Sequence, residues 1–217
     1  MQALISRTHY PVTVLGPGRR AGIWFQGCSI RCPGCVSLDT WGFDPHTGIE
    51  VSAVLEWLAS LPPAEIDGVT ISGGEPTDQP AALVALLASI GAWRDGRPSE
   101  LPALDVLVFT GRDPDWLQTP AATVLQGADA VVAGPYDSAL AGTSPLRGSE
   151  NQRLVALTPL GRERFADDRL ATRSAVQVAV TAEGLWMIGI PQPGDLAAFE
   201  AASAARGVVW SRRSWRT

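Results

Sequence analysis

Residues 21–35 read Ala-Gly-Ile-Trp-Phe-Gln-Gly-Cys-Ser-Ile-Arg-Cys-Pro-Gly-Cys, a short apolar run that opens directly into three cysteines. The run Ala21 to Gly27 has the pattern of a strand buried on both faces. Cys28, Cys32 and Cys35 are all the cysteine the chain has. An odd, clustered set does not read as a disulfide framework, which uses an even count spread along a secreted chain. Buried core cysteines sit among apolar neighbours on strands or helices, whereas Pro33 and Gly34 mark this segment as a loop. Thiolates at C-x3-C-x2-C spacing in such a loop point to metal. Two metals are open at this level. Structural zinc needs a fourth ligand, for which only His9 and His46 are present, the latter in the turn-like Asp44-Pro45-His46-Thr47-Gly48. A four-iron cluster on three thiolates instead leaves one iron open to an external ligand.

Outward from this stretch, strands and helices alternate. Leu4 to Leu15 reads as an extended strand or hairpin, broken by Gly16-Pro17-Gly18. After the cysteines, Val51, Val54, Leu55, Leu58 and Leu61 recur at helical spacing until Pro62-Pro63. Asp67 to Ser72 is a second strand running into Gly73-Gly74-Glu75-Pro76, and Gln79 to Trp93 an Ala/Leu-rich helix. Leu104 to Thr110 is a third strand, Trp116 to Leu125 a short helix, and Ala128 to Ala133 a fourth strand. Such alternation demands a parallel sheet with helices outside it, whose ligands sit at the C-terminal strand ends. The cysteine loop, Gly73-Gly74-Glu75-Pro76, Thr110-Gly111 and Gly134-Pro135 all fall at such ends. The last third differs. Arg153 to Thr158 reads as a strand, Gly161 to Arg173 as loop or frayed helix, and Val176 to Thr181 with Leu185 to Ile190 as a β-hairpin. Asp195 to Ala205 reads as helix and Val208-Val209-Trp210 as a final strand.

Composition sets outer limits. The 217 residues make one domain or a domain with an appendage. Hydrophobic residues are 46% and charged residues 18%, which excludes a disordered chain. A net charge of −5 leaves no broad basic surface for nucleic acid. No apolar run reaches the roughly 18 residues of a membrane span, and the N-terminus lacks the order of a signal peptide. The expected location is the cytoplasm, without membrane or nucleic-acid partners. Arg19 and Arg20 read equally well as solvated charges beside a turn.

The combination of Cys28-Ser29-Ile30-Arg31-Cys32-Pro33-Gly34-Cys35 after one strand with Gly73-Gly74-Glu75-Pro76 after the next resembles the radical S-adenosylmethionine (SAM) superfamily. More narrowly it is similar to the glycyl-radical-enzyme activases that serve anaerobic (class III) ribonucleotide reductase. Gly16-Pro17-Gly18-Arg19-Arg20, Gln26-Gly27-Cys28, Thr40-Trp41, Thr110-Gly111, Gly134-Pro135-Tyr136-Asp137 and Arg147 to Arg153 also fit. Arg112 departs from the aromatic usual after Thr-Gly. The resemblance covers roughly residues 10 to 155.

It implies an incomplete parallel β/α barrel over residues 1–155, with residues 156–217 packed on it as a β-hairpin and helix. A full eight-fold barrel usually takes about 250 residues. It implies a [4Fe-4S] cluster on Cys28, Cys32 and Cys35, SAM on the open iron, and reductive cleavage to a 5′-deoxyadenosyl radical. The hydrogen donor implied is a glycine of a partner glycyl-radical enzyme, the electron donor a flavodoxin-like protein. SAM would lie on Gly34, Val36, Gly73, Gly74, Glu75 and Pro76. Thr110, Ser149, Asn151, Gln152 and Arg153 would meet its ribose and carboxylate. Gly73 and Gly74 would let the backbone approach the methionine amine, Glu75 would either accept from that ammonium or structure the loop, and Trp41 would shield the site from water.

Overall fold

A computed structural model describes the chain apart from residues 167–169, 171–175, 182–183, 211–212 and 216–217. Seven strands form one sheet: β1 (Gln2–Val12), β2 (Arg20–Phe25), β3 (Gly48–Glu50), β4 (Gly68–Gly73), β5 (Asp105–Thr110), β6 (Ala130–Ala133) and β7 (Arg153–Ala156). Their spatial order is β3-β1-β2-β4-β5-β6-β7. The centre, β2-β4-β5-β6, is parallel. It is flanked by β1, antiparallel to β2 and β3, and by β7, antiparallel to β6. The parallel expectation therefore holds for the four central strands and stops at their flanks.

Strand alternation divides the core. Ile23 and Phe25 of β2 turn toward α1 (Val51–Ser60) and α2 (Pro80–Asp95), packing with Val54, Leu58, Leu83 and Leu86. Trp24, one residue out of phase, faces the other side with Val12, Leu15 and Phe109. That second face is covered by the hairpin of β8 (Val176–Thr181) and β9 (Gly184–Gly189), through Ala179, Trp186 and Ile188. Leu107, Ala130 and Val132 are covered by Leu146 and by Phe165, which follows α3 (Pro159–Arg164). Each such fully buried aliphatic side chain contributes on the order of 1.5–3 kcal/mol. α4 (Asp195–Ala204) lies beyond the hairpin in the chain.

Several local expectations change. The helix read over Trp116–Leu125 is two 3-10 segments, Pro114–Gln118 and Pro120–Leu125. Pro120 removes a backbone donor and holds Thr119 extended (φ −91°, ψ 156°), which interrupts an α-helix there. Val208 to Trp210 form no strand, and Val209 is almost fully exposed. Within Gly161 to Arg173, α3 runs to Arg164, starting at Thr158, whose hydroxyl accepts from the Gly161 N–H. Residues 167–169 and 171–173 of that stretch lie outside the described residues, as do residues 182–183 of the hairpin turn.

Arg20 is the sharpest correction, being wholly buried rather than solvated. In the parallel register Arg20 stands opposite Gly68, and Gly68 opposite Asp105. Gly68 has no side chain, and the guanidinium fills that space; a Cβ there would overlap it. Arg20 reaches across to Asp105 in a fork, Nη2 to Oδ1 at 2.5 Å and Nη1 to Oδ2 at 3.1 Å. It also donates to Thr70 Oγ1 and the Val69 carbonyl. Removing one partner strands the other charge. Asp105→Ala is expected to lower the unfolding free energy by about 3–5 kcal/mol in urea titration, far more than a surface ion pair would.

Candidate functional site

Because β2, β4, β5 and β6 are parallel, the loops after them meet at one rim. They enclose a cavity of about 150 Å³ whose wall includes Cys28, Cys32, Cys35, Gly73, Gly74 and Thr110. The three cysteines are free. They share this wall without converging on one metal point, and among the described residues no trio of His, Cys, Asp or Glu does. Burial pushes the Cys28 thiol up, opposed by the Arg31 and Ile30 N–H groups. Burial likewise raises Cys32, opposed by the Tyr136 N–H. Neither histidine lines the cavity: His9 stacks edge-on against Trp186 at 5.4 Å, and His46 sits in an exposed 3-10 turn.

The cysteine loop is anchored from two sides. The Gly27 N–H donates to the Thr40 carbonyl (2.8 Å) and the Cys28 N–H to the Trp41 carbonyl (3.1 Å). Ser29 donates through its N–H (2.6 Å) and Oγ (2.8 Å) to the Asp78 carboxylate. Arg112 in turn donates to Asp78 at 2.7 Å and to Thr77 Oγ1 at 2.9 Å. The departure from an aromatic at 112 thus ties three rim loops together by charge.

Glu75 is buried at the end of β4. Its Oε1 accepts from the Thr77 N–H (2.9 Å), Thr77 Oγ1 (2.7 Å) and Thr110 Oγ1 (2.8 Å), and its Oε2 from the Gly111 N–H (2.7 Å). Of its two expected roles, these bonds perform the structuring one. The glycines before it have a reason the sequence reading missed. A Cβ at Gly73 (φ +105°) would overlap the Phe25 backbone, and one at Gly74 the Gly27 carbonyl. The pair lets the end of β4 lie against the end of β2, whatever ligand approaches. Pro76, also buried, opens a 3-10 turn capped by Glu75.

The remaining expected ligand residues divide. Gln152 lines the cysteine cavity and a second one, of about 230 Å³, with Gly34 and Val36 in the wall of the second. Its amide also closes its own loop, accepting from the Gly148 N–H and donating to the Gly134 carbonyl. Ser149 and Asn151 line neither cavity. The Ser149 Oγ accepts from the Asp137 N–H and the Asn151 Nδ2 donates to the Pro135 carbonyl. Both brace the Gln152 loop against the loop after β6. Arg153 is exposed at the start of β7 and lines neither cavity. Sequence reasoning missed Asp78 and Ser29 in the rim; the signal was Asp78 three residues after Glu75, on a turn facing the cysteines.

Two comparisons bear on this rim. Residues 14–155 match the family model described as a 4Fe-4S single cluster domain. The anaerobic ribonucleoside-triphosphate reductase-activating protein of Enterobacteria phage T4 is 30% identical over 146 residues, covering 67% of this chain and 88% of that protein. The chain belongs to this family of radical SAM activating proteins. The protein of the same title from Escherichia coli K12 is 29% identical, over 66% of this chain and 93% of its own. The pyruvate formate-lyase-activating enzyme of Clostridium pasteurianum is 37% identical over 75 residues, about a third of each chain. As a radical SAM activating protein the chain takes a [4Fe-4S] cluster and SAM. Its donor set fits the cluster: three thiols on one wall and no histidine beside them. The one carboxylate among the described residues of that wall, Glu75, is already bonded to four protein donors.

Glu75→Gln keeps the shape but turns its amide N–H₂ toward either the Gly111 N–H or the Thr77 N–H, neither of which can accept. It is expected to cost about 2 kcal/mol of unfolding free energy by urea titration.

Proposed function

We propose that this chain is a radical SAM activase that removes a hydrogen atom from a glycine of a partner glycyl-radical enzyme of the anaerobic ribonucleotide reductase type. The observation that carries this reading is the meeting of the three-cysteine loop and Gly73-Gly74-Glu75 on one cavity at the C-terminal ends of parallel strands. The names of the relatives, activating proteins of a reductase and of a lyase, support a protein substrate. A reduced cluster held by Cys28, Cys32 and Cys35 would supply the one electron that splits SAM at its C5′–S bond into methionine and a 5′-deoxyadenosyl radical.

The chain's own residues bind, orient and exclude water. Cys28, Cys32 and Cys35 would hold the cluster. The rim at Gly73 to Pro76 and Thr110 would receive the methionine end of SAM, with Glu75 keeping that rim in shape. Gly34, Val36 and Gln152 would receive its adenosine, with Ser149 and Asn151 acting through the Gln152 loop. Arg153, exposed and in the wall of neither cavity, is left out of this arrangement. The partial β/α barrel of the radical SAM type, residues 1–155, is part of this proposal, with residues 156–217 as an extension packed on it. A flavodoxin-like protein would deliver the electron. Free clustered thiols suit a reducing cytoplasm, and no helix among the described residues is long and apolar enough to cross a membrane.

A second reading, a radical SAM enzyme acting on a small molecule or peptide, draws on one feature. The 230 Å³ cavity beside the cysteines is closed by Trp186, Met187, Ser214 and Trp215, all beyond the matched segment. The test is common to both. Protein reconstituted anaerobically with iron and sulfide is expected to hold about four irons per chain and, with dithionite and SAM, to release 5′-deoxyadenosine. A glycine-centred radical signal in a co-incubated glycyl-radical protein supports the activase; turnover without it favours the second reading. No SAM cleavage at all leaves a non-catalytic iron–sulfur module. Cys32→Ala is expected to lose the visible absorbance of the cluster, and full iron retention would contradict its role as a ligand.

A further inference from the structure

We propose that the indole N–H of Trp41 donates a hydrogen bond to a sulfur of the cluster, and that Trp41 thereby raises the potential at which the cluster takes up its electron. This rests on the reading of Cys28, Cys32 and Cys35 as cluster ligands. Trp41 stands in the wall of the cavity that holds the three thiols. Its Nε1 is shielded from solvent and has no hydrogen-bond partner. An indole nitrogen only donates, and buried tryptophans ordinarily satisfy that donor; the Trp215 Nε1, for comparison, donates to Glu200 at 2.8 Å. The other buried polar atoms without a hydrogen-bond partner among the described residues, on Arg97, Asn151, Gln192, Trp210 and Arg213, belong to residues outside this wall.

The backbone of Trp41 is fixed to the cluster loop itself. Its carbonyl accepts from the Cys28 N–H at 3.1 Å, and its N–H donates to Leu38 at 3.2 Å. The preceding Thr40 closes on Ser37 through its hydroxyl, at 2.8 Å. The indole therefore moves with Cys28. What would complete its donor is an acceptor in the cavity, and thiolate-ligated clusters present sulfurs that accept N–H groups. Such a bond is stronger to the reduced, more negative cluster than to the oxidised one, which raises the potential. Shielding from water by the same ring acts in the opposite direction. Trp41→Phe keeps most of the shielding and deletes the donor, so it separates the two.

The experiment compares the full-length parent with Trp41→Phe, both reconstituted anaerobically and titrated with dithionite while the reduced cluster is followed by electron paramagnetic resonance. The variant is expected to keep its iron but to show about a tenfold lower reduced-to-oxidised ratio at a given potential, equivalent to a midpoint about 59 mV more negative for one electron. A midpoint equal to the parent's overturns the proposal. A second measurement holds even if the variant loses iron: the reduced parent labelled with ¹⁵N-tryptophan is expected to show a nitrogen coupling to the cluster by electron–nuclear double resonance. Its absence overturns the proposal while leaving the cluster reading intact. A parent that takes up no iron overturns the cluster reading, and this inference with it.

Discussion

The rim of this protein depends on one buried carboxylate. Glu75 carries its charge out of water with two backbone N–H groups and two hydroxyls as its solvation shell. Burying an unpaired charge is prohibitive unless such donors replace water. The four donors come from the loop after β4 and from the end of β5, so satisfying the charge fixes the two loops to each other. Asp78, three residues on, extends the same logic to the cysteine loop through Ser29, with Arg112 supplying the countercharge. The geometry of the cysteine site is thus set by polar bonds whose partners lie on three different strands' ends.

The opposite end of the central strands is pinned in a matching way. Arg20 and Asp105, both fully buried, meet above Gly68. Asp105 held by Arg20 and Arg164 at the start of the parallel strands, and one hydrogen-bonded carboxylate at their ends, leave little freedom for register slip. A slip of one residue would also exchange Trp24 for Ile23 or Phe25 between the two covered faces. Apolar packing supplies most of the stability, but it is the glycines and buried charges that make the register unique.

Much of this was legible in sequence because it rests on local signals. The apolar run at 21–27, the cysteine spacing and the glycines after the second strand each speak through a few adjacent residues. What was not legible depended on pairing between distant segments. Arg20 reads as a surface charge until register sets it opposite Gly68 and Asp105. Ser149 and Asn151 read as ligand contacts, because their hydrogen bonds to the loop after β6 need the fold to bring those loops together. The helix read over Trp116 to Leu125 failed for a local reason: Pro120 holds Thr119 extended and lacks the N–H that an α-helix would use there.

The segment beyond the family match bears on the site more directly than its position in the chain suggests. Trp186 of β9 packs edge-on against Trp24 (4.7 Å) and lies under the guanidinium of Arg7 (5.0 Å). Gln177 of β8 donates to the Pro11 carbonyl and accepts from Thr13. These contacts seat the hairpin on the sheet face that α1 and α2 leave bare. The chain then returns to the cysteine loop: Ser214 accepts from the Leu38 N–H at 3.0 Å and its Oγ donates to the Val36 carbonyl at 2.9 Å. Val36 and Leu38 lie within three residues of Cys35, so Ser214 and the rim loops both hold the cysteine loop. Ser214 thus takes part both in holding the cysteine loop and in lining the neighbouring cavity.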